Sequence, residues 1–515
     1  MSDSMLKTYT DFSRGENVDT AIDNLLDNEL MKAENIDLNQ RGGFSYRKGC
    51  VKFNATSYGA QVEQLEEWQR ADGSVQLVGV IGTDFCTISE VGGEKTVIQA
   101  LNPAVKKCFC FPFQDKLYFG DGHNYYVYDG TTSAEVTPAE VDKSETTPDL
   151  TAIKRCKYAA LHPPSYCFFF AGDSQNKNAL YYSESNEPNN VKQTSVLFPT
   201  HAMGEITGLK VFGDSVVVFY KYGARIARGI DPKVDMVWEE IPLPNGTMSN
   251  DAIVLTPSSL TFPGNGGLYS IPPSILGYNV TLQLGQDVVP NIAANRQTKT
   301  INSITNPSIT CAVFDPVDSE LLLAYSDGFG ATRNSKVLVY FWDVGGFTRY
   351  TGWQVNDWCL RANGDLLFAS NNFIYKARTG LSDAGNPIAY KAHTKKYNLD
   401  APDYTKHCAK VFINAAQQGN QSHANVIIYT ENNSSRFSDI DLNERTKWQG
   451  IWKGKWGQTE LNRRELKLVP KLKGSRIQIR YEMTASDMEA VFYGHTIQFK
   501  LKKPKGKRVL QDGTS

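Results

Sequence analysis

The sequence predicts an all-β protein: an irregular β-propeller of five to seven blades, with an N-terminal arm and a C-terminal β-sandwich. Three observations carry this. Gly 41, Tyr 25 and Phe 25 against only 8 Met favour strands and turns over helices. Hairpin-like units recur roughly every 35 to 55 residues between positions 60 and 390. Beyond Tyr390 the pattern changes to a clean alternation of apolar and polar residues.

At ~150 residues per domain, 515 residues allow two to four domains. Hydrophobic residues at 41% and charged residues at 21% exclude a disordered or membrane-embedded chain. No apolar run reaches the ~18 residues of a membrane span. Met1 to Leu30 carries Asp and Glu throughout, so no secretory leader is expected. The net charge of −1 names no partner for the chain as a whole.

Residues 1–55 read as an arm laid along something larger. Asp27 to Glu34 predicts a short helix, with Asp27 as cap and straight-chain residues after it. Arg41 to Gly49 follows as a turn and a strand.

Residues 56–390 predict the propeller. Its seven hairpin-like units are Val75–Ile88, Lys116–Tyr128, Tyr166–Tyr182, Leu209–Ile226, Ser258–Ile271, Leu321–Trp342 and Leu360–Tyr375. Turn residues mark several of them, among them Asp121-Gly122, Gly264-Asn-Gly-Gly267 and Asn371-Asn372. A lone hairpin is marginal in water, and a radial array buries both faces of its inner strands. That accounts for Ser215 to Tyr220, an apolar run that does not alternate. The competing architecture is a tandem of β-sandwiches.

Residues 391–503 predict the sandwich. Ile477, Ile479 and Tyr481 share one face, as do Ile497, Phe499 and Leu501; Val426–Tyr429 and Glu465–Val469 add two strands. Residues 504–515 form a basic tail. From Thr446 to Arg508 there are 16 Lys and Arg against five Asp and Glu, a net +11, which leaves −12 on the rest.

The nine cysteines are odd in number, scattered, and without a C-x-x-C pair, so buried free thiols in a chain made in a reducing cytoplasm are expected. No histidine falls at zinc-ligand spacing from them, and His407-Cys408 is the one adjacent pair. No phosphate loop, H-E-x-x-H or G-x-S-x-G occurs. Ser326-Asp327-Gly328 is only a fragment of the sialidase-type repeat, and Asp439-Ile-Asp441 lacks further calcium ligands and reads as a solvated turn. No catalytic residue, metal or cofactor is assigned.

Two constellations are candidate partner or ligand contacts. A period of two puts Trp448, Trp452 and Trp456 on one strand face and Lys453 and Lys455 on the other, suited either to stacking on sugars or bases or to a sandwich core. Lys502, Lys503 and Lys505 belong to a basic exit from the last strand, which reads as a nucleic-acid or acidic-partner contact or as a solvated tail.

The N-terminal pattern Asp11-Phe-Ser-Arg-Gly-Glu-Asn17, Leu26-Asp-Asn-Glu29, Asn35-Ile-Asp-Leu38 and Gly43-Phe-Ser-Tyr-Arg-Lys-Gly49 resembles the opening of tailed-bacteriophage structural proteins. The order of arm, propeller and β-rich end is similar to the tail hub or nozzle proteins of short-tailed phages, and Leu461–Leu468 with Arg476–Arg480 looks like their closing strands. The resemblance implies a non-enzymatic virion tail component made in the host bacterial cytoplasm. Its partners would be itself in a homohexameric ring, an adaptor, fibres or spikes, and genomic DNA in transit. A neutral or acidic lining would let duplex pass, with the basic domain facing an acidic partner or lying away from the lumen. The alternative is a carbohydrate-binding or glycan-cleaving receptor-recognition propeller using Trp448, Trp452 and Trp456; a cellular scaffold propeller lacks its blade signature here.

Overall fold

A computed structural model describes residues 4–504 apart from 142–145, 201, 274–288, 418–421 and 443–462. The chain is an all-β propeller joined to a β-sandwich. Each of the seven hairpin-like units lies in its own sheet. Five of these are four-stranded, the sixth in chain order holds the strands Cys311–Asp315, Glu320–Tyr325, Lys336–Phe341 and Gly346–Thr351 within a larger sheet, and the sheet of Val254–Thr256, Ser259–Gly264 and Gly267–Ile271 has three described strands. The sheets follow one another in chain order, and the inner strands Val62–Gln69 and Asp357–Leu360 pack together where the ring closes.

Apolar side chains fill the gaps between sheets, not a single central core. Trp68, Val78 and Phe85 of the first blade meet Leu117, Phe119 and Tyr128 of the second; Phe85 and Phe119 stack at 4.1 Å. Phe109 and Phe111 of the second meet Phe168 and Phe170 of the third. A strand between two such layers is apolar on both faces, and Ser215–Tyr220 is buried at every residue.

The arm is built into the fold. Cys50–Lys52 pairs with Phe373–Ala377 as the outermost strand of the last blade, so the first part of the chain completes the final sheet. Gly15–Glu16 runs parallel to Gly346–Thr351, the outer strand of the sixth sheet, and then to Glu29–Glu34. The sheet continues through Ile388–Thr394, Gln478–Ala485, His423–Tyr429 and Ser434–Asp441 to a total of ten strands. A propeller blade and one face of the sandwich are therefore a single sheet.

A seven-stranded sheet makes the other face. It joins Arg463–Leu468, Tyr404–Gln417, Ala490–Pro504, Phe44–Tyr46 and Ile36–Leu38, with Met5–Tyr9 and Leu472–Gly474 as further partners. Ile477, Ile479, Tyr481, Ile497 and Phe499 point into the shared core with Phe12, Phe44 and Phe492, as the alternation requires.

The helix expected over Asp27–Glu34 is a turn followed by the strand Glu29–Glu34. Leu30 and Ala33 are buried in the common core, and the backbone pairs with Gly15–Glu16 and Ile388–Thr394. Two ladders and a buried face outweigh the small helical preference of straight-chain residues.

Candidate functional site

Two polar constellations stand out, one where the arm meets the propeller and one on the propeller axis. The first is made by the N-terminal pattern itself. Arg47, 2% exposed, donates through Nη2 and Nη1 to the Asp383 carboxylate at 2.7 and 2.9 Å. It also donates to the Asn35 Oδ1 at 2.9 Å and the Thr351 carbonyl at 3.0 Å. The guanidinium lies over Trp353, 4.7 Å from the ring centroid, while the Trp353 indole N–H donates to Asp383 at 2.8 Å. Asn35, at φ 58, donates to Thr351 Oγ1 and the Ala389 carbonyl. One arginine thus ties the arm, the end of the sixth blade and the loop that enters the sandwich.

The other pattern residues act in the same seam. Glu16 is fully buried, takes Arg349 Nη2 at 2.6 Å and the Ala33 N–H at 3.2 Å, and has its pKa raised by burial against the pull of Arg349. Glu29 accepts from Asn17 Nδ2 at 3.0 Å and from the Leu26 N–H at 2.9 Å, which holds the turn before its strand. Asp19 accepts the N–H groups of Thr298 and Lys299 at 2.8 Å, capping the helix Thr298–Asn302 from across the chain. A Cβ on Gly43 or Gly49 would sit 2.4 Å from the Phe492 carbonyl oxygen or 2.0 Å from that of Ser382. Beside the seam is a cavity of about 490 Å³, where Arg378 binds Asp315, Asp318 and, at 2.6 Å, Glu320.

The second constellation lines an axial cavity of about 1010 Å³. Lys107, in the loop before the strand Phe109–Phe113, reaches Asp251 of the 3-10 turn Asn250–Ala252 at 2.8 Å and Asp357 of the strand Asp357–Leu360 at 2.9 Å. Burial disfavours its charge, but the two carboxylates more than offset that and hold its pKa well above the usual value. Glu66 and Lys210 project into the same space. Glu66 is open to channel water yet ringed by protein, and its carboxyl is pushed up to about 7 by desolvation and by Asp357.

Around this cavity side-chain amides stand in for backbone between sheets. Gln64 exchanges two hydrogen bonds with the Cys108 backbone at 2.8 and 2.7 Å, as a strand neighbour would. Asn356 donates to the Val62 carbonyl, Asn334 to those of Ile309 and Val355, all at 2.8 Å, and Asn250 accepts the Leu209 N–H at 3.1 Å. The radial gaps leave inner-strand groups without a ladder partner, and these amides satisfy them. The amides thus pin neighbouring blades to each other, and Lys107 ties distant parts of the ring together across its axis.

Of the sequence candidates, Trp448, Trp452, Trp456, Lys453, Lys455 and Lys505 lie outside the described residues. Lys502 is exposed on the strand Ala490–Pro504, and Lys503 lies on the same strand. The nine cysteines are free, all but Cys110 buried, and burial raises Cys86 to about 11 and Cys408 to about 12. Cys408 faces the core while His407 faces out, so that pair does not converge. Asp439 and Asp441 sit on the strand Ser434–Asp441, not in a turn, with Asp439 2.7 Å from His423 Nδ1. No group of three metal-ligating side chains occurs among the described residues. The axial residues Lys107, Asp251, Asp357 and Glu66 escaped sequence reasoning because their spacing spans nearly 300 positions; only the fold brings them together.

No family model matches the chain, and no curated protein matches it. Among solved structures it is similar to a chain of the mitotic checkpoint complex, with 12% identity, 64% of this chain and 97% of that chain covered, and a TM-score of 0.40. It is also similar to BBS1N from its complex with ARL6DN, at 12% identity, 66% and 99% coverage and a TM-score of 0.40. BamB from Moraxella catarrhalis gives 11% identity, 67% and 96% coverage and a TM-score of 0.35. At this identity these are likenesses of fold.

Proposed function

We propose that the protein is a structural component of a bacteriophage tail, a hub or nozzle subunit that forms part of the conduit for DNA ejection and works by shape, without bond-making chemistry. The observation that carries the reading is the employment of the N-terminal pattern. Phe12, Asn17, Glu29, Asn35 and Arg47, residues on which the tail-protein resemblance rests, are all buried in the seam that welds arm, blade and sandwich together. A subunit that must resist deformation while duplex passes gains from such a weld, because its parts cannot shear past one another. The axial cluster supports the same reading, since Lys107 is engaged by two carboxylates within its own ring.

The test is localisation. Mass spectrometry of purified virions should recover the chain, and cryo-electron microscopy should fit its propeller and sandwich into tail density around the channel. Absence from the particle, or a ring whose lumen is lined by the lysine-rich 446–508 segment, overturns it.

A further inference from the structure

The axial cavity holds charge that the contacts between blades leave unused. Of the charged side chains around it, Lys107 is taken by Asp251 and Asp357, Arg155 by Asp173 at 2.7 Å, and Lys177 by Glu205 at 3.0 Å. Glu66 and Lys210 line the same cavity, and no hydrogen bond or ion pair joins either side chain to the described residues.

The backbone explains why these two do not pair. Glu66 stands on Val62–Gln69, the inner strand of the first sheet, and Lys210 on Ile206–Phe212, the inner strand of the fourth. Two sheets separate them on one side of the ring and three on the other, so they sit on opposing walls. They still sense each other: desolvation and then Asp357 raise the Glu66 pKa, and Lys210 pulls it back. A carboxyl and an ammonium held apart in a partly desolvated space are costly until something joins them. The space between is large. About 1010 Å³ lies at the upper end of the roughly 300–1,000 Å³ that small-ligand sites span, room for several residues rather than one amino acid.

We propose that the axial cavity binds a short peptide with both ends free, its ammonium on Glu66 and its carboxylate on Lys210. Charge decides the class. A simple anion meets Glu66, and a simple cation meets Lys107 and Lys210; a molecule carrying both signs completes both groups. The site forms within one chain, so it stands or falls apart from the tail reading.

The probe is triglycine, titrated into the full chain by calorimetry. Its controls are N-acetyl-triglycine, which lacks the ammonium, and triglycine amide, which lacks the carboxylate. The wild type should bind triglycine, and each blocked peptide roughly tenfold or more weakly, since each lacks one charge-assisted contact. Glu66→Gln should lose the preference for a free amine and keep that for a free carboxylate; Lys210→Met should do the reverse. A misfolded variant cannot give that crossed pattern. Occupancy of the cavity itself is read at Cys110, which lines it and is the one thiol of the nine that is not fully buried. Triglycine should slow alkylation of Cys110 by N-ethylmaleimide. The proposal is overturned if triglycine fails to bind at about 10 mM, a concentration that reveals even millimolar affinity. It is equally overturned if all three peptides bind alike, if binding leaves Cys110 alkylation unchanged, or if variants still folded by circular dichroism lose both preferences together.

Discussion

Arg47 shows how much of this fold hangs on single buried charges. Its guanidinium is matched by one carboxylate, two backbone carbonyls, an amide and an indole face, so removing it strands Asp383, whose side chain is 13% exposed. Arg47→Met should cost about 3–5 kcal/mol in urea unfolding, and adding Asp383→Asn should recover part of it; no recovery would mean the loss is one of packing. Glu66 gives a second residue-scale expectation. Its carboxyl is pushed up to about 7, against ~4.3 in an unfolded chain. Between those values the native state keeps a proton that the unfolded state has released, so stability falls as pH rises through the window. Glu66→Gln should match the wild-type melting temperature below about pH 4 and exceed it progressively up to about pH 7. A difference that does not change with pH would show that Glu66 titrates normally.

At the scale of elements, the arm illustrates why strands are decided by partners. Glu29–Glu34 has the composition of a helix and the position of a sheet strand, and the ladders on both sides prevail. Gly49 is small because the chain must pass against the Ser382 backbone to place Cys50–Lys52 on the last blade. Gly49→Ala therefore forces a backbone shift worth about 1–3 kcal/mol, read by thermal unfolding. Deleting residues 1–52 removes that strand, bares the outer edge of the sixth blade and opens the common core. The shortened chain is expected in the insoluble fraction, since open edges pair with other chains. A soluble, strand-rich monomer would show that the propeller closes without its arm.

For the whole molecule, the ten-stranded sheet and the continuous core make propeller and sandwich one mechanical body. Calorimetry should accordingly give one unfolding peak, and Arg47→Met should move that peak without splitting it. Two separated transitions in the wild type would mean the seam is weaker than its hydrogen bonds suggest. A single body also fits the proposed role, because a rigid unit transmits load through its sheet to whatever it is docked on.

The sequence by itself determined what depends on neighbours a few residues apart. Turn residues and apolar runs located all seven hairpins, and the period-two alternation of Ile477, Ile479 and Tyr481 located the sandwich core. The motif residues Gly43 to Gly49 were visible as a pattern, but their use was not, since Arg47 and Asp383 lie 336 positions apart. Only the tertiary structure decided that Glu29–Glu34 is a strand, that the arm completes the last blade, and that Lys107, Asp251 and Asp357 converge on the axis. The physical reason is range. Turn chemistry and side-chain periodicity are written locally, whereas ladder partners and buried charge pairs exist only once distant segments are brought within a few ångströms.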